Sequence, residues 1–278
     1  VYSGDTVTLV TNGYVATFAD KAVGTGIEVT ITNLSLSGAS AGNYVLEQPV
    51  TATANITAKN LTVTGVTAAS KAYDTTTEAA VYFTNATLVG VVSGDTVTLD
   101  SSSAVGAFNT AVVGSGKTVT VSGLALDGAD AGNYTLTQPT TTASITKAVA
   151  GVTLTAEDLD QAYNRTARTV TAVTDPVGLT TLITYSGSSV VPTNAGSYTV
   201  IATVSDANYT GSDTNTLVIS AATLTVSNLL ADSRVYNGTN TATIRAGGAS
   251  LVGVYSGDTV TLVTNGYVAT FADKAVGT

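Results

Sequence analysis

Residues 1–25 read VYSGDTVTLVTNGYVATFADKAVGT, and residues 254–278 repeat them letter for letter. Long-range self-identity decides the architecture of a chain before any local pattern does. The offset is 253 residues, so the 278-residue sequence holds one full period plus a 25-residue overlap. Both ends fall inside a module, and the expectation is a window on a longer tandem array. Such a part is repeated to gain length, unlike a single catalytic unit.

Within the quoted stretch Thr6-Val7-Thr8-Leu9 alternates polar and apolar side chains. The same alternation runs through Leu61-Thr62-Val63-Thr64, Val119-Thr120-Val121 and Tyr198 to Val204. Short alternating runs bounded by Gly, Asn, Asp and Ser indicate half-buried strands. Thr fills the outward positions, where its β-branched side chain suits a pleated surface. The nearest thing to a helical stretch is Thr155-Ala156-Glu157-Asp158-Leu159. The predicted class is all-β.

A shorter period lies inside the long one. Val91-Val92-Ser93-Gly94-Asp95-Thr96-Val97 matches Val1-Tyr2-Ser3-Gly4-Asp5-Thr6-Val7, and the match continues through Ala131-Gly132-Asn133-Tyr134 and Ala41-Gly42-Asn43-Tyr44. Upstream, Lys71-Ala72-Tyr73-Asp74 corresponds to Arg234-Val235-Tyr236-Asn237. Residues 60–147 are therefore one whole module. Residues 1–59 and 222–278 are the back and front of a second copy of that type. Residues 148–221 form a shorter module of another kind, sharing only Gln161-Ala162-Tyr163-Asn164 and Asn194-Ala195-Gly196-Ser197-Tyr198 with the rest.

The sharpest local motif is Ala-Gly-x-Tyr, at 41–44, 131–134 and 195–198. Each copy precedes an alternating run and is expected to open a strand. In immunoglobulin-like sandwiches a Tyr at such a place turns its hydroxyl back to the backbone a few residues upstream. Tyr44, Tyr134 and Tyr198 are accordingly predicted as structural corner residues; the alternative is an ordinary turn before a strand.

At these residues the chain resembles known repeat families. Lys71-Ala72-Tyr73-Asp74-Thr75-Thr76-Thr77, Ser93-Gly94-Asp95-Thr96-Val97 and Ala129-Asp130-Ala131-Gly132-Asn133-Tyr134 are similar to the YDG-type repeat of large bacterial surface adhesins and filamentous haemagglutinin-like proteins. Residues 148–221 resemble the MBG-type repeat that alternates with it. The departures sit in one turn, with Thr75 where the family has Gly and Asn237 where it has Asp. The resemblance implies a stalk of tandem immunoglobulin-like β-sandwich domains and no catalytic residues.

Composition sets limits on the chemistry. There is no Cys and no His, which excludes disulfides, thiolate nucleophiles, Ser-His-Asp triads and His-bearing metal sites. A net charge of −9 gives no electrostatic reason to bind nucleic acid. No apolar run reaches the roughly 20 residues of a membrane-spanning helix, so no membrane insertion by this segment is expected. A 44 % hydrophobic content favours a folded chain over a disordered one. Linkers are almost absent: Ile56-Thr57-Ala58-Lys59 runs into Leu61-Thr62-Val63, and Ile219-Ser220-Ala221-Ala222 into Thr223-Leu224-Thr225. The expectation is a stiff rod of domains placed end to end.

Candidate sites are few. Asp127 and Asp130 are the calcium candidates, being carboxylates close together in a turn. Their counterparts in the sister copy are Ser37 and Ser40, so such a site would not recur. Glu157, Asp158 and Asp160 read as turn and surface residues rather than as a catalytic pair. Gln48 and Gln138 stand at equivalent positions before Pro. Thr–Gln ester and Lys–Asn isopeptide crosslinks are chemistry open to these residue types, beside the plain role of ending a strand. No cofactor is expected.

The functional expectation is a structural repeat segment of an extracellular fibre or adhesin stalk at a bacterial cell surface, partnered by neighbouring repeats. The alternative is an adhesive module that itself recognises glycan or protein. Binding surfaces are enriched in Trp, Tyr and Arg anchors. The chain has no Trp, and most of its Tyr fall in repeat motifs suited to packing.

Overall fold

The computed structural model describes residues 1–276 as strands, short two-stranded ribbons and turns, with no α-helix among the described residues. Three single 3₁₀ turns interrupt the strands. One of them, Ala156–Asp158, occupies the stretch nearest to a helical pattern. It stops after one turn because the Asp158 carboxylate is held by the Thr171 amide and hydroxyl at 2.9 and 2.6 Å. The chain divides into two units, residues 1–147 and the described residues from 148 onward.

In the first unit, residues 60–147 build a five-stranded sheet. Its order is Lys71–Ala72, Thr140–Thr146, Gly114–Ser122, Val105–Phe108, Glu78–Ala79. A three-stranded sheet places Lys59–Thr64 between Thr87–Val89 and Tyr134–Leu136. Alternation produces the core. Val119 and Val121 of the long strand are fully buried while Thr118 and Thr120, which alternate with them, are exposed. Val119 joins Phe108, Ile145, Ala79 and Ala143 in one cluster, and Val121 joins Val63 and Leu124 in another. Each Val, Leu, Ile or Phe among them contributes about 1.5–3 kcal/mol on leaving water.

Residues 1–59 form the matching sheet Val15–Phe18, Gly24–Thr32, Val50–Ile56. Both copies of the long strand shift register at the same place, between Gly24 and Ile27 and between Gly114 and Lys117. The extra residue is accommodated by Gly26 at φ 65° and Gly116 at φ 58°, backbone that glycine adopts freely. Of residues 1–59 only Val29 is buried. The apolar face exists, but little is packed onto it.

In the second unit, residues 148–221 carry a four-stranded sheet, Asp160–Ala162, Ser212–Ser220, Gly196–Val204, Thr181–Tyr185. The ribbon Gly151–Leu154 with Ala172–Asp175 accompanies it. Leu154, Val170, Tyr185, Val200, Ala202, Leu217 and Ile219 form its core, all of them from within this module. Residues 222–276 show only two short ribbons and no buried side chain among those described.

The repeated 25 residues take two different structures. Thr8–Val10 and Val15–Phe18 are strands, paired with Ser35–Ser37 and Gly24–Thr32. Their copies at 261–263 and 268–271 lie outside named strands, apart from a single bridge from Thr270 to Thr241. In the first copy these strands pair with residues between 29 and 37, for which residues 254–276 hold no equivalent.

Tight turns rest on glycines that no other residue replaces. Gly128 sits at φ +111°, and a Cβ there would lie 2.4 Å from the Thr96 carbonyl oxygen. Gly38 repeats this against Thr6. Gly128→Ala is expected to destabilise the first unit by about 2 kcal/mol or more, from left-handed strain together with the clash. Urea unfolding followed by circular dichroism measures it; Gly132→Ala, where the space is open, serves as the neutral comparison.

Candidate functional site

The repeated polar residues gather in the turns. Ala41–Asn43 and Ala131–Asn133 each make one 3₁₀ turn, capped by Tyr44 and Tyr134 in extended backbone. Tyr134 continues into the strand Tyr134–Leu136, paired in parallel with Lys59–Leu61. The run after Tyr44, expected to open a strand, does not. Residues 1–59 contain no counterpart of Lys59–Leu61 on which it could pair.

The tyrosine hydroxyls differ among the three motifs. Tyr198 donates to the Asn194 carbonyl four residues upstream at 3.0 Å, the short corner expected from the motif. Tyr44 and Tyr134 do something else. Tyr134 donates to Asp95 Oδ2 at 2.6 Å and accepts from the Val92 amide at 3.1 Å. Tyr44 repeats both bonds with Asp5 at 2.6 Å and the Tyr2 amide at 2.8 Å. The expected bond to backbone close upstream is thus replaced by a closure over 39 residues to the Ser-Gly-Asp turn. The Asp95 carboxylate, through this hydrogen bond first and burial second, raises the Tyr134 phenol pKa above its usual value.

A second device recurs in every Tyr-[Asp/Asn]-x-Thr segment. Asp74 Oδ1 accepts from the Thr76 amide and hydroxyl, both at 2.9 Å. Asn164 does the same for Thr166 at 3.0 and 2.6 Å, and Asn237 for Thr239 at 3.2 and 3.0 Å. The residue between is left-handed each time: Thr75 at φ 70°, Arg165 at 69°, Gly238 at 78°. The departures from the family pattern therefore leave the turn intact. Asn supplies the same acceptor oxygen as Asp, and Thr75 is held in a strained region by the hydrogen bonds that link Lys71, Asp74 and Thr76 around it. Lys71 Nζ reaches Asp74 at 2.8 Å and Thr76 carbonyl and hydroxyl at 3.0 and 2.8 Å, and lies 5.7 Å from the Phe108 ring centre. Arg234 takes the same place over Phe271 and bonds Asn237 and Thr239. The Lys71 hydrogen bond, then those from the Thr76 amide and hydroxyl, lower the Asp74 pKa to about 2.

Gln48 and Gln138 each clamp a main-chain unit with both amide atoms. Gln138 accepts from the Leu124 amide at 3.1 Å and donates to its carbonyl at 2.8 Å. Gln48 does so with Leu34 at 2.9 and 2.8 Å. Each side-chain amide thus acts as a piece of strand ladder, with both of its polar atoms directed at backbone.

Asp127 and Asp130, the calcium candidates, each accept from a different backbone amide. Asp127 Oδ1 accepts from the Gly128 amide at 2.7 Å, and Asp130 Oδ2 from the Thr96 amide at 2.8 Å. Among the described residues no group of three or more acidic side chains gathers as a metal cage. A cleft of about 690 Å³ beside Val105–Phe108 has Glu78 as its one titratable lining residue. Carboxylate-pair hydrolysis requires two such groups.

The pairing of Asp5 with Tyr44 and of Asp95 with Tyr134 is absent from the sequence expectations. Its signal was present: Ser-Gly-Asp and Ala-Gly-Asn-Tyr stand at the same separation in both copies. Two polar side chains held at fixed spacing in diverging copies mark a contact.

Two outcomes follow for solution measurements. The folded Asp74 pKa is depressed, so its contribution is full above the unfolded value of 3.8 and is lost as pH falls toward 2. Asp74→Asn, which keeps the turn as Asn164 and Asn237 do, is expected to remove this component of the acid dependence, read from thermal midpoints across that range. Tyr134→Phe removes the donor to Asp95 and the acceptor for Val92; the thermal midpoint of the first unit is expected to fall by about 5 °C, checked by calorimetry.

Two family models match the chain. The family model of the YDG domain matches residues 1–53, 57–143 and 220–278, and that of the MBG domain matches residues 150–223. No curated protein and no solved structure matches the chain. Since the YDG matches together cover well over half of the sequence, the chain belongs to the YDG domain family, with an MBG-matching module set between its repeats.

Proposed function

We propose that this chain is a structural repeat segment of an extracellular fibre or adhesin stalk at a bacterial surface, supplying length and stiffness. Its modules are read as immunoglobulin-like sandwiches placed end to end, each YDG module completed from the adjoining period of the array. One observation carries this reading: the recurring polar side chains are spent on the chain's own backbone. Tyr134, Asp74 and Gln138, with their counterparts in the other copies, each tie a turn or strand to main-chain groups. What is repeated is therefore the means of holding a module together. The sparse burial in residues 1–59 and 222–276 fits halves that pack only when a neighbouring period supplies the rest.

Imaging of the native assembly by negative stain tests this. Three end-to-end domains, each about 35–40 Å long, give an axial repeat on the order of 100–130 Å. Denaturing electrophoresis of the same material should show one very large species. A band near 27.7 kDa, the mass of this segment, would overturn the covalent array. Compact particles without an axial repeat would overturn the stalk.

A further inference from the structure

The Ser-Gly-Asp turn has a second use, visible where one module meets the next within each unit. In the first unit Lys21, from residues 1–59, places Nζ 3.6 Å from Asp95 and 3.9 Å from Asp130 of the following module. The Val23 amide donates to Asn133 Oδ1 of that module at 2.8 Å. In the second unit Arg165, from the MBG module, places Nε 3.0 Å from Asp258 Oδ1 and bonds the Ser256 carbonyl. Tyr163 donates to Asp258 Oδ2 at 2.9 Å and meets Tyr255 edge to face at 5.9 Å between ring centres. Two unrelated module types thus bring a cation to the same aspartate of the module that follows.

We infer that the Ser-Gly-Asp turn of each YDG module is a docking socket for a cationic corner of the module before it, and that this ion pair fixes the angle between neighbours. Three observations support it. Arg165 owes its position to the left-handed turn it occupies, so the backbone of the MBG module aims the guanidinium. At the second junction the corner also covers the glycine of the socket: a Cβ on Gly257 would lie 2.3 Å from Arg165 Nη1, whereas at the first junction Gly94 stays open beside Lys21. A side chain at position 257 would exclude the corner. The cation also follows the order of modules. The position equivalent to Lys21 in residues 60–147 is Ala111, and the module after it is the MBG module, which has no Ser-Gly-Asp turn of this kind. A cation stands where an aspartate socket follows, and Ala stands where none does.

Neighbouring domains move against one another unless the interface restrains them. The contact is small and partly exposed, with Arg165 and Asp258 side chains 43 % and 23 % accessible. Its effect is therefore expected on orientation and on salt dependence more than on the stability of either module.

The chain has no cysteine, so a pair of introduced cysteines carries spin labels without background. Val190 and Val263, 75 % and 72 % exposed, suit labels on the two sides of the second junction. The parent is expected to give a narrow distance distribution that broadens near 1 M salt, where the screening length falls to about 3 Å. Arg165→Asn, which tolerates the left-handed backbone, and Asp258→Asn should each broaden it by about twofold. Arg165→Lys should keep it narrow, as Lys21 serves the other junction. An unchanged width in both neutral variants overturns the inference. So does broadening in Arg165→Lys equal to that in Arg165→Asn, because charge would then not be the coupling. Should Arg165→Asn disturb the MBG core, seen in the Tyr185 ring resonances, Asp258→Asn decides alone, since it lies outside that module. The inference does not rest on what the array serves: a fibre of any purpose requires the same coupling, and the labels read it directly.

Discussion

A loop amide turned away from water must find an acceptor, and this chain, which has no cysteine, meets that demand without disulfides. The Tyr134 hydroxyl is the central case, accepting from the Val92 amide while donating to Asp95. One oxygen fixes two loops that are about forty residues apart in sequence. Asp130 adds a parallel tie, accepting from the Thr96 amide while its own amide donates to the Thr96 carbonyl. With turns held at both ends, the short strands need only a thin core. Clusters of three to seven buried side chains are enough.

Much of this was legible in the sequence. Val119-Thr120-Val121 and Tyr198 to Val204 alternate in letters as they do in burial, because a two-residue period is imposed by the pleat itself. The repeat boundaries came from identity alone. What alternation could not convey is whether a strand finds its partner. Val15–Phe18 is a strand and its copy at 268–271 is not, though the residues are the same. Strand structure belongs to the pair, so one segment's letters cannot contain it.

The candidate site shows the same division. Tyr198 makes the short corner its motif suggests, and Tyr44 and Tyr134 do not, although all three follow Ala-Gly-x. The difference lies outside the motif: only the YDG modules carry an aspartate turn within reach of the hydroxyl. Gln138 looked like punctuation before a proline, yet its two-sided hydrogen bonding to Leu124 requires fourteen residues of intervening fold to become visible. Local chemistry was readable from local letters; closure across the module was not.

The pairing of the outer strands has a mechanical meaning. Lys71–Ala72 runs parallel to Ile145–Thr146 at the end of the same module, and Asp160–Ala162 runs parallel to Val218–Ser220 in the MBG module. Early and late strands therefore lie side by side and point the same way. When tension draws the two ends of such a module apart, it slides these strands along one another. Their hydrogen bonds bear the load together, whereas an antiparallel hairpin pulled at its open end would peel bond by bond. In residues 60–147 and 148–221 strand direction thus sets how the module meets traction, before any neighbour is added.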